Sequence, residues 1–554
     1  MRFIVRQGAV AVKQQRAGRS NARRIACALC QDRVAVVYLR SGPEWEAIVS
    51  VLGAVYLIAA LLVALYGANA LLLAALHLRR RKEGPLSAPQ PENWPAVTVQ
   101  LPVYNELHVV KRLIDAVARL DYPRDRLQVQ VLDDSDDETT RLARAKVARH
   151  RARGLDIELV HRQDRQGFKA GALAQGLETA SGEYIAIFDA DFVPHPDFLK
   201  RTVPHLVGEP ELAFVQARWS YLNPHYSALT RAQTIALDGH FVVEHLGRNR
   251  NGLLMNFNGT AGVWRREAIA AAGGWQSDTL TEDVDLSFRA QLAGWQARYL
   301  PDIQAPAELP PQIEAFKRQQ ARWATGAAQC LVKLAGPLWQ GEPYPGSVSR
   351  EEGGWRLPWA ARLEGLLHFS VWIAHPMSLL LLLLTLPLLL GQISLTFNLT
   401  IFWLVALGPL VAYALSQQYL YPDWKRRMAY MPVLALVGTG LALSNTLAIA
   451  RGLLKRDHAF RRTPKFHIVD QSDRWLGDRY VLPLQWVTVG ELALAGYALA
   501  TIAVALFAGN YVAVPFLLLY VGGYGYVGLL GLRDAWSNRR VRLRLNRGPA
   551  VADS

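Results

Sequence analysis

Tyr184-Ile185-Ala186-Ile187-Phe188-Asp189-Ala190-Asp191 is an apolar run that stops at two acids separated by one small residue. The five leading residues read as a short, buried strand, which brings Asp189 and Asp191 out together at its carboxyl end. Two carboxylates there suit a divalent cation carrying phosphates, because Mg²⁺ is held by one or two carboxylates plus substrate oxygens. A solvated turn explains the pair equally well in isolation, since Asp is common at strand ends. The surrounding sequence has to decide between them.

Upstream, VTVQLPV (97–103), VQVLDD (129–134) and DIELV (156–160) read as further strands, with helical patterns between them, notably KAGALAQGLETA (169–180). The alternation predicts an α/β domain with a largely parallel, doubly wound sheet, whose ligands lie beyond the carboxyl ends of the strands. Asp133 and Asp134 fall at such an end, where a carboxylate could accept hydrogen bonds from a base or ribose, or equally make an Asx turn or helix cap. No GxGxxG or GxxxxGK[ST] sequence occurs, which argues against a dinucleotide fold or a P-loop ATPase.

Outside this region the chain turns apolar. Hydrophobic residues make up 51% and charged ones 19% of the 554 residues, and the hydropathy is confined to blocks at 46–76, 366–390, 396–416, 430–450, 485–508 and 511–531. The 61 Lys+Arg against 46 Asp+Glu give a formal charge of +15, but the basic clusters flank apolar blocks, so the charge is read as membrane topology and not as nucleic-acid binding. HLRRRK (77–82) puts the end of the first block in the cytoplasm. Block 430–450 is interrupted by Pro432, Gly438, Gly440, Ser444 and Asn445, and the positive-inside rule favours its lying in the interface, which leaves five spans. The first block begins too late for a cleaved signal peptide, and the basic stretch 1–44 receives no role. Only three Cys occur, and Cys27 and Cys30 form a lone CxxC read as chance spacing.

Two stretches downstream of the strands carry chemistry. In TLTEDVDLSFRAQLAGW (279–295), Thr281 is the expected N-cap, with Glu282 and Asp283 in the first helical turn. Acids there complement the helix dipole, and Asp283 on a stiff helix end could also take a proton from a sugar hydroxyl. IEAFKRQQARWATGA (313–327) is an amphipathic helix with Gln319, Arg322 and Trp323 on one face. Arg suits bidentate contact with a diphosphate and an indole offers a platform for a sugar ring, although the same pair would anchor a helix at the headgroups.

The ordered set Asp134, Asp189-Ala190-Asp191, Thr281-Glu282-Asp283 and Gln319-Gln320-Ala321-Arg322-Trp323 resembles the D, DxD, TED, Q(Q/R)xRW signature of membrane-bound, processive family 2 glycosyltransferases. The resemblance covers roughly residues 97–330, with weaker agreement to about 470. QLPVYNE, GFKAGAL, FVQARW, FNGTAGVWRR and GGWQSDTLTED look most like the cellulose-synthase-like mannan and glucan synthase branch. That resemblance implies a GT-A type, doubly wound cytoplasmic catalytic domain inserted between transmembrane helices. It also implies Mg²⁺ or Mn²⁺ on Asp189 and Asp191, donor contacts from Tyr104, Glu106, Asp133, Asp134, Lys169, Asp189 and Gln319, and acceptor contacts from Trp323, Phe257 and Asn258. Asp283, with Glu282 beside it, would be the base, and Arg322 would neutralise the leaving diphosphate. HAFRRTPKF (458–466) resembles the gating loop of cellulose synthase, with Thr463 and Lys465 as donor contacts. No cyclic-dinucleotide regulation is expected.

The division implied is 1–44 basic segment, 45–82 first transmembrane helix, 83–360 glycosyltransferase domain with an interface helix at 313–330, 361–416 helix pair, 417–484 interfacial helix and gating-loop-like segment, 485–532 helix pair, and 533–554 cytoplasmic tail. The function implied is inverting, processive transfer of hexose from UDP-glucose or GDP-mannose to a growing β-1,4-glucan or mannan in the plasma (inner) membrane, with export through the spans. Its rivals are addition of one sugar to a membrane lipid and an inactive polysaccharide-binding scaffold.

Overall fold

The computed structural model describes residues 43–81, 83–84, 86–350, 356–391, 407–454 and 460–546. Residues 1–42 with the Cys27/Cys30 pair, much of the expected span 396–416, and His458 of the gating-loop stretch lie outside the described residues.

The strands are β1 (Val97–Val103), β2 (Leu127–Asp133), β3 (Asp156–His161), β4 (Tyr184–Ile187), β5 (Leu212–Tyr221), β6 (Gly262–Arg265) and β7 (Gln296–Ala307). They form one seven-stranded sheet in the order β3-β2-β1-β4-β6-β5-β7. The β3-β2-β1-β4 half is parallel throughout. β6 runs antiparallel to both β4 and β5, whereas β5 and β7 are parallel. The opening motif therefore lies near the middle of the sheet, at the strand where parallel pairing gives way.

Alternation along β1 shows why the sheet is covered on both faces. Val97, Val99, Leu101 and Val103 enter a core shared with α2 (Val110–Val117), α3 (Thr139–Arg151) and α5 (Phe198–Gly208). Thr98 and Gln100 point to the other face and donate to Gln128 Oε1 and Gln130 Oε1 of β2 at 2.7 and 3.0 Å, which gives those oxygens the donors that buried acceptors need. On that face α4 (Phe168–Thr179) supplies Ala170, Ala172 and Leu173 to a second core. There α7 (Glu282–Leu292) supplies Leu286 and Ala290, so the wound layers close from both sides.

Between α5 and α7 lies α6 (Ala228–Asp238), started by a capping box on Ser227 and Thr230. After β7 comes α8 (Ile313–Gln340), longer than the stretch 313–330 read from the sequence. The apolar helices are α1 (Pro43–Arg80), α9 (Trp359–Ser370) and α10 (Ala374–Leu390) in near-continuity, α11 (Gly408–Leu420), α13 (Met431–Gly440) and α14 (Ala442–Leu454), α15 (Val487–Phe507) and α16 (Val514–Asn546), with the short basic α12 (Trp424–Arg427) before α13. Four helical stretches among the described residues, Ala47–Arg80, Trp359–Leu390, Val487–Phe507 and Tyr511–Leu545, are long and apolar enough to cross a membrane. Trp424–Gly440 and Ala442–Leu454 qualify together but bend by 43° where they meet.

α8 ties the sheet domain to these helices. Its Ala324 and Ala328 pack on Ala448 and Ile449 of α14. Buried Lys317 bonds Glu491 of α15 at 2.7 Å and Glu314 at 3.0 Å.

Candidate active site

The acids named by the sequence converge from separate elements. Asp189 and Asp191 follow β4, and the backbone N–H of Asp189 donates to Thr260 Oγ1 at 2.9 Å, just before β6. Lys169, from the first turn of α4, reaches Asp189 Oδ1 at 2.7 Å, Gly259 O at 2.8 Å and Glu282 Oε1 at 3.4 Å. One ammonium thus joins the first acid of the DxD pair to the acid pair that opens α7. Burial opposes its charge, but Asp189, Glu282 and Asp283 outweigh that and hold Lys169 protonated well above the ordinary range.

Gly259 is needed for this convergence. It sits at φ +77°, and a Cβ there would stand 2.8 Å from Asp283 Oδ2 and 3.1 Å from Lys169 Nζ. Burial, and then the neighbouring Glu282, push the Asp283 carboxyl up to about 7, against the pull of Lys169. A carboxylate that titrates near neutrality has the basicity that proton abstraction requires. Burial likewise raises Asp189, offset by Lys169.

Asp191 meets the loop that carries Thr463 and Lys465. Lys465 Nζ lies 2.8 Å from Asp191 Oδ2 and 2.7 Å from Glu308 O, and the Phe466 N–H donates to Glu308 Oε1 at 2.8 Å. Arg462 pairs with Glu106 at 3.3 Å. Burial pushes Glu106 up to about 8 despite Arg462. Phe460 lies against Phe168, with ring centroids 6.2 Å apart, and the Arg322 guanidinium stands 5.1 Å from the Phe460 ring. The walls enclose a cavity of about 150 Å³.

Tyr104, Glu106, Asp134, Lys169, Asp189, Asp191, Asn258, Glu282, Asp283, Gln319, Arg322, Trp323, Thr463 and Lys465 all line this cavity. Two expected site residues do not. Asp133 is fully buried below it, bonded to the Ser135 N–H at 3.1 Å and to His161 Nδ1 at 3.0 Å, so the Asx turn belongs to Asp133 while Asp134 faces the pocket. Phe257 is buried in the second core against Phe214 and Trp264, and only its neighbour Asn258 reaches the cavity. Thr281 holds the N-cap position of α7 without capping it; its hydroxyl lies 3.5 Å from Cys330 Sγ, beneath Gly326 of α8.

Other residues were not picked out from the sequence. Arg162 grips Asp134 with two bonds of 2.7 and 2.6 Å, and Arg165 stacks 3.3 Å over the Tyr104 ring. Both lie in HRQDRQ (161–166), which reads as a solvated charge run until the fold turns it inward. Arg165 and Phe168 adopt left-handed backbone at φ +48° and +51°, a departure that tight functional turns retain. Glu308, Phe460 and Arg462 complete the wall.

The residues fit a divalent cation in one particular sense. Asp189 and Asp191 offer hard carboxylate oxygens one residue apart, and among the described residues no group of three or more His, Cys, Asp or Glu could hold a metal by itself. Such a pair matches Mg²⁺ or Mn²⁺ brought in with phosphates, not a metal caged by protein. Arg322 Nε, Thr463 Oγ1 and Asn258 Nδ2 are buried donors with no hydrogen-bond partner among the described residues. They are suited to receive the oxygens of a polyanionic or hydroxyl-rich ligand.

A wound sheet with acids gathered at its strand ends, packed through one long helix against helices long and apolar enough to cross a membrane, is a GT-A type of arrangement. Residues 95–326 match the family model described as glycosyltransferase like family 2. A probable glucomannan 4-beta-mannosyltransferase 7 of Oryza sativa subsp. japonica is 49% identical over 246 residues, covering 44% of this chain and 42% of that protein. Glucomannan 4-beta-mannosyltransferase 2 of Arabidopsis thaliana is 46% identical over 246 residues, covering 44% and 46%. Over this stretch the chain carries a glycosyltransferase like family 2 domain, similar to that of the cellulose-synthase-like glucomannan mannosyltransferases. It spans about half the length of the curated relatives it matches. Mannosyltransferase PcManGT from Pyrobaculum calidifontis, solved with GDP-Man and Mn²⁺, is 23% identical over 74% of this chain and 99% of its own, with a TM-score of 0.44.

Proposed function

We propose that this chain is an inverting hexosyltransferase that extends a β-1,4-linked polysaccharide from a nucleotide sugar and passes the product through its apolar helices. The observation that carries the reading is the meeting of Asp189, Asp191, Asp283, Arg322 and Trp323, from three distant stretches, around one cavity. The matched relatives are glucomannan mannosyltransferases by name, which favours mannose, so GDP-mannose is the first donor to test and UDP-glucose the second.

In this reading Tyr104, Glu106, Asp134 and Arg165 receive the nucleoside, while Arg322, Gln319, Thr463 and Lys465 face the diphosphate. Asp189 and Asp191 hold Mg²⁺ or Mn²⁺, whose chemistry when bound is to neutralise charge on the departing diphosphate. Asp283 takes the proton from the acceptor hydroxyl, the hydroxyl oxygen bonds to the anomeric carbon, and the bond from that carbon to the diphosphate oxygen breaks. Displacement from the opposite face converts an α-linked donor to a β-linked product. Arg322 offers its donors to the charge that develops on the leaving group, and Trp323 supports the acceptor sugar. In this reading the domain faces the cytoplasm of the plasma (inner) membrane and α14 lies at the interface, a placement that its packing on α8 supports.

The test is a donor panel, GDP-mannose, UDP-glucose, UDP-galactose and UDP-N-acetylglucosamine, each with Mg²⁺ or Mn²⁺, followed by linkage-specific digestion. A β-1,4-mannanase-sensitive polymer from GDP-mannose is expected. A single sugar on an organic-extractable lipid would refute polymer synthesis.

A further inference from the structure

A second cavity, of about 280 Å³, lies away from the acids, between the first half of α6 and the turn that joins α12 to α13. Its size is close to the lower end of small-ligand sites, roughly 300 Å³. Arg231, Arg426 and Arg427 all line it, against the single acid Asp423. Three guanidiniums around one space repel each other unless an anion joins them, and the protein supplies too little negative charge to do so.

The partners of the three arginines differ. Arg427 is committed to the fold: its Nε donates to Gln417 Oε1 at 2.7 Å, its plane covers Tyr421 at 3.5 Å, and it stands 4.0 Å from Asp238. Arg231 meets the face of Tyr430, at 4.8 Å, and among the described residues neither Arg231 nor Arg426 has a carboxylate within 4.0 Å. His225, on the same wall, is held below the ordinary imidazole range by burial, then by Arg231 and Arg427. The free charge in the cavity is thus that of two forked donors, the groups that match a phosphate.

The surroundings indicate the kind of phosphate. Tyr430 leads directly into α13, whose MPVLALVGTG carries no charge, and Leu410, Val411 and Tyr419 stand exposed on α11 next to it in the chain. Basic α12 therefore sits where apolar helices leave the sheet domain, the position at which polybasic segments meet anionic leaflets. We propose that this cavity binds the phosphate of an anionic phospholipid headgroup through Arg231 and Arg426, with Arg427 fixing the wall behind them. A free phosphate offers the same group without the acyl chains, so the two sources are separable.

The test uses the full chain in detergent, with phosphatidylglycerol or phosphatidylcholine added and bound lipid counted by native mass spectrometry. Sugar transfer is not read, so the outcome is independent of the proposed activity. The wild-type chain is expected to retain phosphatidylglycerol over phosphatidylcholine, and Arg231→Gln/Arg426→Gln to weaken that retention by roughly thirtyfold, the equivalent of about 1 kcal/mol for each arginine near an anionic surface. Inorganic phosphate is expected not to displace the lipid. Equal retention of the two lipids by the wild type, a measurement that needs no variant, would overturn the proposal. So would undiminished retention in a double variant with unchanged melting temperature. Displacement by inorganic phosphate would assign the cavity to a free anion instead.

Discussion

Asp283 and Gly259 make the sharpest demands at the scale of single residues. If the carboxylate pushed up to about 7 is the base, it works only when ionised, so kcat/KM should fall as pH drops below about 7. Asp283→Asn should lower transfer by about 10²- to 10⁴-fold, the usual contribution of a positioned base, while nucleotide binding measured by calorimetry persists. An unaltered transfer rate would remove Asp283 from the role. Gly259→Ala tests the same place from the backbone side, because its Cβ would displace Asp283 and Lys169 from a glycine already at φ +77°. Transfer should be lost in a variant whose far-UV circular dichroism is that of the wild type. Residue-level legibility was uneven for a simple reason. Spacing marks which side chains could meet, but not which way each points. At the end of β2, Asp133 turns inward and Asp134 to the pocket, and in the irregular stretch before β6 Phe257 is buried in the core while half-buried Asn258 reaches the cavity. Arg162 and Arg165 are hidden in a charge run, where nothing local separates a solvated arginine from one that grips an aspartate.

Elements were easier to read where one face was plainly buried. β1 is found at the expected residues, and β2, β3 and β4 differ from the expected strands only at their ends. β5, β6 and β7 are not among the strands read from the sequence: β6 is only four residues long, and the antiparallel direction of β6 is set by its pairing partners. α8 shows the same limit: its amphipathic start was legible, but its contact with α14 and α15 depends on helices far along the chain. That contact gives a prediction at this scale. Lys317 is buried between Glu314 and Glu491, so Lys317→Met leaves two buried carboxylates without their cation and should destabilise the chain by about 3–5 kcal/mol. Replacing all three with Met, Gln and Gln should recover much of that loss, because the uncompensated charges go with the lysine. Thermal unfolding in detergent measures both. If the single variant melts with the wild type, the ion pair does not hold α8 to α15.

At the scale of the molecule, the question is whether the cavity and the apolar helices act as one device. α8 presents Gln319, Arg322 and Trp323 to the cavity and carries, just before them, the lysine that grips α15, so the proposed acceptor platform and the apolar helices share one element. A chain supported on Trp323 would then be positioned against the helix bundle as it grows, and each transfer would push it by one sugar. The reading predicts vectorial synthesis. In proteoliposomes with the sheet domain facing outward and GDP-mannose added outside, polymer should accumulate in the lumen, protected from external mannanase until detergent is added. Trp323→Ala should shorten the product more than it slows the first transfer, because losing a stacking platform costs about 1 kcal/mol or more at every rebinding step. Product fully digestible from outside would separate synthesis from export and leave the apolar helices as an anchor alone.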